Sequence, residues 1–372
     1  MKRFADENRA APSAHRRRLL ASVAALPAML IMSALPRTAQ AQGEVVKSGF
    51  ALSSPARAMQ IRQRVPADMA DRLLASADAG LARELHVRPV VHTQGLLPHE
   101  GDRDVSQLSQ EDWRQTLVQA LAWCVSGNAA YATRAVAYID AWVAAYSPSF
   151  DPIDETDLAD LLLGFDLVQD RLSPSTVEKT RQLGRQLATG YLGAQRVGDR
   201  STGLNNWQSH RIKLAVAGAY VSGDAALIAA ARDGFVTHVD RNINSDGRTF
   251  DFAQRDAMHY VVYDLDPLLM AASMAAAHEQ DWYGATEIHG KLAQALNWLR
   301  PYALGEREHE EFVHSTVAFD ARRASVNVKG FGGPWQRGQA SSLYWVAARL
   351  DPEFESVANA LHAPPLIRAL FA

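Results

Sequence analysis

Residues Asn205-Asn206-Trp207-Gln208-Ser209-His210-Arg211 gather amide, indole, imidazole and guanidinium groups between Gly203 and the apolar run Ile212 to Tyr220. At about 100° per residue, Asn206 and His210 fall on one helical face. Asn206 and Trp207 then sit at the first turn, where unpaired backbone N–H groups and the helix dipole favour an anion. A cap needs one Asn, not a whole cluster. A second polar group follows downstream. Asp246-Gly247-Arg248-Thr249-Phe250-Asp251-Phe252 reads as a turn and then an extended piece. The run from Gln254 to Tyr263 opens a helix in which Arg255 shares a face with His259, and Asp256, His259, Tyr260 and Tyr263 share another. Arg, His and two Tyr on one side of a helix start suit proton transfer on an acidic ligand.

On these residues the chain resembles the alginate lyase family of polysaccharide lyases. That family's pattern is an Asn-Asn-His helix start, then Asp-Gly, a Leu/Phe-rich linker, and Arg…His-Tyr…Tyr opening a further helix. Asn205 and Asn206 match the Asn pair, and Asp246-Gly247 match the Asp-Gly. His259, Tyr260 and Tyr263 match the His-Tyr-x-x-Tyr, and the likeness extends loosely over roughly residues 60–350. Two positions depart. Trp207 stands where the family has His, leaving His210 as the only nearby imidazole, and Asp256 takes the family Arg position with Arg255 beside it. The departures bear on the substrate and point to a sister lyase group acting on glucuronan, also called cellouronate.

The resemblance implies β-elimination from a β-1,4-linked polyuronate, either polymannuronate (alginate) or glucuronan. A uronate carries an acidified C5–H next to its carboxylate and a leaving oxygen on C4. Elimination needs the carboxylate charge neutralised, a base for the proton and an acid for the leaving oxygen. Asn206, His210 and Arg255 (or Arg211) can supply the first by hydrogen bonding, without a metal or other cofactor. Tyr260 or Tyr263, helped by His259 or His210, can supply the others, provided a cation lowers the phenol pKa from near 10. Asn205, Trp207, Gln208, Arg211 and the aromatic Trp335 of the glycine-rich segment Gly330–Trp335 are candidate substrate contacts. Two other readings stand beside the lyase: a toroid that binds acidic glycans without cleaving them, and a glycoside hydrolase using a carboxylate pair such as Asp160 and Asp251.

Helical spacing recurs through the chain, at about 66–85, 109–126, 128–146, 154–170, 174–195, 225–240, 282–300 and, as a last pair, 337–362. The Asn pair and the Tyr cluster each open a further helix. Residues 43–65 show little periodicity, 86–104 read as a loop, and only Arg322 to Val328 shows strand-like alternation. The turns Ser126-Gly127-Asn128-Ala129-Ala130 and Ser222-Gly223-Asp224-Ala225-Ala226 echo each other, as stacked helical hairpins require. The expected fold is all-α, an α/α barrel or incomplete α/α toroid, with residues 42–372 as one domain.

The 372 residues carry a formal net charge of −3 at pH 7, so nothing suggests nucleic acid. A polyanion-binding enzyme needs only a local basic groove. His15-Arg16-Arg17-Arg18, the apolar stretch Leu19 to Leu35 and Ala39-Gln40-Ala41 form a secretory signal peptide over residues 1–41, by either the general or the twin-arginine route. Once it is removed no membrane-length run remains. The expectation is a periplasmic or secreted monomer. The lone Cys124 makes no intramolecular disulfide. Three metal patterns fail on spacing: the irregular His86, His92 and His99; Asn242-x-Asn244-x-Asp246-Gly247, which lacks a terminal Glu; and His309-Glu310-Glu311-Phe312-Val313-His314, read as a solvated acidic segment.

Overall fold

The computed structural model describes residues 51–194, 202–361 and 366, so the signal sequence expected over 1–41 lies outside the described residues. The first helices are α1 (Pro55–Arg64), α2 (Ala67–Leu81), α3 (Arg103–Ser126), α4 (Ala129–Ala145) and α5 (Leu158–Val168). Next come α6 (Pro174–Ala194), α7 (Asn206–Ser222), α8 (Ala225–Asn242), α9 (Phe250–Arg255) and α10 (Met258–Ala276). The last are α11 (Lys291–Ala303), α12 (Ala318–Ser325), α13 (Ser341–Leu350) and α14 (Glu355–Ala360). Among the described residues there is no strand, only two isolated bridges, Ile243–Thr249 and Glu310–Pro334.

Burial separates the helices into two layers. In α5 every residue but Asp160 is buried, and in α7 every residue but Trp207 and Ser222. Helices buried on every side belong to the inner layer, α5 by its apolar surface and α7 by its apolar run Ile212 to Val221, with its polar first turns facing other elements. In contrast, α4, α6 and α8 each bury one stripe, such as Leu183, Leu187 and Tyr191 of α6. The inner series runs α3, α5, α7, α10 and α13, each packed on the next, with α4 against α3 and α6 and α8 against α7. This is an α/α toroid of stacked helical hairpins. The two echoing turns have the same physics: Gly127 and Gly223 take left-handed φ of 72° and 69°, and Asn128 and Asp224 cap the following helices. The α6–α7 crossing is close: a Cβ at Gly184 would come within 2.9 Å of the Gly218 carbonyl oxygen.

Several expectations are corrected. The aperiodic 43–65 contains helix α1, capped by Ser54. The helix read over 282–300 begins only at Lys291, whereas the pair expected over 337–362 is present as α13 and α14. The stretch Arg322 to Val328 is no strand: α12 occupies Ala318–Ser325 and a turn follows. The extended piece after Asp246-Gly247 is helix α9, capped by Thr249, whose side chain accepts from Phe252 N–H. Finally, Arg255 and His259 are not on one helix. Asp256 takes a left-handed φ of 49° and breaks the chain between α9 and α10.

That break is held from one neighbouring segment. Phe312 N–H donates to the Asp256 carbonyl at 2.8 Å, and Thr316 N–H to that of Gln254 at 2.9 Å. His314 Nδ1 pairs with the Asp256 carboxylate at 2.7 Å. The expected solvated acidic segment is therefore a clasp. Its Glu311 is buried, and Oε1 accepts from His259 N–H at 2.9 Å, capping the first turn of α10. Burial pushes Glu311 up to about 7.

Candidate active site

The N-terminal ends of α7 and α10 open on one cleft of about 610 Å³. Asn206 and Trp207 from α7, Arg255 from the end of α9, and His259, Tyr260 and Tyr263 from α10 all line it. Residues Thr93 to Pro98, Arg103 and Gln107 form another wall, and Phe319, Arg322, Arg323 and Phe331 a third. Among the described residues the lining holds Arg103, Arg255, Arg322 and Arg323 but no Asp or Glu. The cleft is thus a local basic groove on a chain of net charge −3.

Asn205 caps α7, its side chain accepting from Trp207 N–H at 3.2 Å, and this leaves Asn206 at the first helical position. Asn206 is buried, and its amide Nδ2 donates to Asp251 Oδ1 at 2.7 Å. Because α9 ends at Asp256, Arg255 folds back over α10, its guanidinium 3.9 Å from the Tyr260 ring centroid. Two buried carboxylates balance that guanidinium: Asp251, 3.4 Å from Nε, and Asp320, paired with Nη1. Arg323 approaches from α12, and its Nη1 donates to the Tyr260 hydroxyl at 2.9 Å.

The phenols differ in their surroundings. Burial raises both above the ordinary tyrosine value. For Tyr260, Arg255 and Arg323 oppose that rise. For Tyr263, Asp157 adds to burial and the upward shift is very large. Burial, together with Arg323 and Arg255, keeps the His259 imidazole below its usual value and hence neutral at pH 7.

His210 does not line the cleft; it lies behind Tyr263, ring centroids 4.2 Å apart. Lys213 Nζ donates to Thr156 Oγ1 at 2.8 Å, and His210 Nδ1 pairs with the same hydroxyl at 2.6 Å. Burial first, and then Lys213, pushes the His210 pKa well down.

Asn205, Gln208, Arg211 and Trp335 do not line the cleft. Arg211 lies one turn below Trp207, its guanidinium 5.8 Å from that ring's centroid, and its Nη1 donates to Gln208 Oε1 and to the Thr202 carbonyl. From the glycine-rich segment, Phe331 rather than Trp335 reaches the cleft, and Trp335 Nε1 donates to Gln339. Asp160 and Asp251 do not line it either. The sequence reading missed Arg103, Arg322, Arg323, Phe319 and Phe331. The adjacent Arg322 and Arg323 were the available signal, hidden by treating their stretch as a strand.

Among the described residues no group of three or more His, Cys, Asp or Glu is placed to hold a metal. His92 pairs with Asp154 and His99 with Asp104, while His86 N–H binds Asp112. Asn242 Nδ2 is committed to Asp264 and the Leu204 carbonyl, and Asp246 to Arg248.

A family model described as Alginate lyase matches residues 56–309. No curated protein matches the chain. Among solved structures, an alginate lyase from Bacteroides ovatus superposes with a TM-score of 0.64 at 16% identity, covering 87% of this chain and 99% of that one. A tetrasaccharide complex of a variant of alginate lyase A1-III, from Sphingomonas species A1, gives a TM-score of 0.60 at 17% identity, covering 89% and 97%. The apo form of such a variant gives 0.58 at 16%, covering 88% and 97%. At these identities the likeness establishes the toroid.

Proposed function

This chain belongs to the alginate lyase family and is a polysaccharide lyase, and on that premise we propose that it cleaves a β-1,4-linked polyuronate by β-elimination with Tyr260 as base and then acid. The observation that carries the reading is the meeting of two sequence-distant clusters in one cleft lined by four arginines, Arg103, Arg255, Arg322 and Arg323, and, among the described residues, by no carboxylate. A hydrolase would need a carboxylate pair there. A polyanion needs cations.

In this reading Asn206 and the arginines of the cleft meet the uronate carboxylate, making the C5 carbanion-like state tolerable. Tyr260 is favoured over Tyr263 because two guanidiniums stand against it, one over its ring and one on its hydroxyl. As phenolate it takes the C5 proton. The C5–H electron pair forms the C4–C5 double bond, the C4–O bond breaks, and the new phenol returns the proton to the leaving oxygen. One group can serve both steps because, in β-linked mannuronate and glucuronate, the proton and the leaving oxygen lie on the same face. His259, neutral beside the phenol, and Tyr263, backed by His210, complete the wall against which the sugar is oriented.

The family favours alginate, and the tetrasaccharide complex of a structural neighbour supports a cleft sized for several sugar rings. Trp207, bulkier and less polar than the family His and lining the cleft, favours glucuronan as a second substrate. The two uronates differ at C2, away from the bond that breaks, so one catalytic set serves either. Among the described residues no helix is long and apolar enough to cross a membrane. The N-terminal pattern of residues 1–41 supports export to the periplasm or beyond.

The test is to offer polymannuronate, glucuronan and polyguluronate and follow the ultraviolet absorbance of the unsaturated product. We expect cleavage of one or both of the first two, with polyguluronate poor because its C5 proton lies on the other face. Preference for polyguluronate, or chain shortening without unsaturation, would overturn the assignment.

A further inference from the structure

We propose that Arg323 is a further catalytic residue, stabilising the phenolate of Tyr260 through its hydrogen bond to the hydroxyl, and that Asp320 positions it. The proposal rests on the reading of Tyr260 as the acid–base group.

The geometry is specific. Arg323 Nη1 reaches the reacting oxygen itself, at 2.9 Å. Its guanidinium is steered there by three contacts: Asp320 at 3.8 Å, and the faces of Phe319 and Phe331 at 4.3 and 4.7 Å. Asp320 is buried, is itself anchored by the Ser315 hydroxyl at 2.8 Å, and pairs with Arg255 through the same oxygen. One carboxylate therefore holds two guanidiniums against one phenol. Arg255 lies over the ring with both of its carboxylates in place, so it acts as a fixed local charge. Arg323, not Arg255, donates to the oxygen where negative charge develops as the proton leaves.

The charged and titratable groups facing Tyr260 are Arg255 from α9, and Asp320 and Arg323 from α12. His259 and Tyr263 come from its own helix. Burial pushes the phenol up, and the two arginines pull it down. Without Arg323 the phenolate would lose this donor and the phenol would need a higher pH to ionise.

The experiment measures kcat/KM against pH for wild type, Arg323→Gln, Arg323→Lys and Tyr260→Phe on the polymer that the wild type cleaves, each checked for an unchanged melting temperature. The expected result is a loss of about 100-fold at pH 7 for Arg323→Gln. Its ascending limb should move to higher pH, so that much of the loss is recovered in base. Arg323→Lys, which keeps the charge, should lie between this variant and the wild type, and it carries the test if the glutamine variant does not fold. A raised KM with an unshifted limb would make Arg323 a substrate contact only and overturn the proposal, as would a wild-type profile in both variants. Activity surviving in Tyr260→Phe would overturn the acid–base reading beneath it, and is separable because it does not involve Arg323.

Discussion

Asp251 holds Asn206 twice: one carboxylate oxygen accepts from the Asn206 backbone N–H at 2.5 Å and the other from its Nδ2 at 2.7 Å. The second oxygen also lies 3.4 Å from Arg255 Nε. A single buried side chain on α9 thus fixes two groups that face the cleft from different helices. Burial raises its pKa to about 6, against the hydrogen bonds from Asn206 and the charge of Arg255. Removing it in Asp251→Ala leaves a buried guanidinium and amide short of an acceptor, at a cost of about 3–5 kcal/mol in denaturant unfolding. The isosteric Asp251→Asn should fold better yet lose roughly 100-fold in kcat/KM, the cost of a misplacement of about 1 Å. Wild-type kinetics in Asp251→Asn would show that Asn206 needs no such anchor.

How much of this was legible in the sequence can be seen at Arg255. Its residue type and its neighbourhood with His259 and Tyr260 marked it, because those three are close in sequence. Its actual orientation depends on the left-handed Asp256, which is held by Phe312 and His314 more than fifty residues on. Local spacing carries no such information. The inner helices α5 and α7 were readable as apolar runs, and the hairpin turns by Gly127 and Gly223. Arg323 was not, since α12 is short and its side chain is assigned a role only by the phenol it meets from another element. Likewise, that the cleft takes only Asn206 and Trp207 from α7, and neither Gln208 nor Arg211, depends on where its neighbours pack.

The buried His210 gives a pH signature. Its folded pKa is depressed below the ordinary 6.5 by burial and by Lys213. Below about pH 6.5 the unfolded chain binds a proton here that the folded chain refuses, so unfolding is favoured as pH falls. Relative to His210→Gln, the wild type should lose up to about 1.4 kcal/mol per pH unit through that window. Denaturant unfolding of both proteins at pH 7.5 and pH 5 measures it. A stability gap that stays constant with pH would mean that His210 accepts its proton in place.

At the α6–α7 crossing, a Cβ on Gly218 would press on the backbone of Gly184 and Ala188. Gly218→Ala should therefore destabilise by about 1–3 kcal/mol, although alanine is intrinsically the better helix former. A melting temperature equal to or above that of the wild type would show that the two helices can separate at no cost.

Chelation should leave activity intact, because Asn206 and the arginines of the cleft meet the carboxylate without a metal. Dialysis against excess chelator, followed by the polymer assay, checks this. Activity lost there and restored by calcium would return attention to the loop at Asp246.

The central claim is that the Tyr260 phenol moves the proton. The most direct measurement is the rate of unsaturated-product formation by Tyr260→Phe beside Tyr263→Phe and the wild type, at saturating polymer. Loss of the acid–base group should cost Tyr260→Phe roughly 10²–10⁴-fold in kcat, with the polymer still bound and a smaller loss in Tyr263→Phe. Near-wild-type turnover in Tyr260→Phe, whatever happens in Tyr263→Phe, would contradict the account.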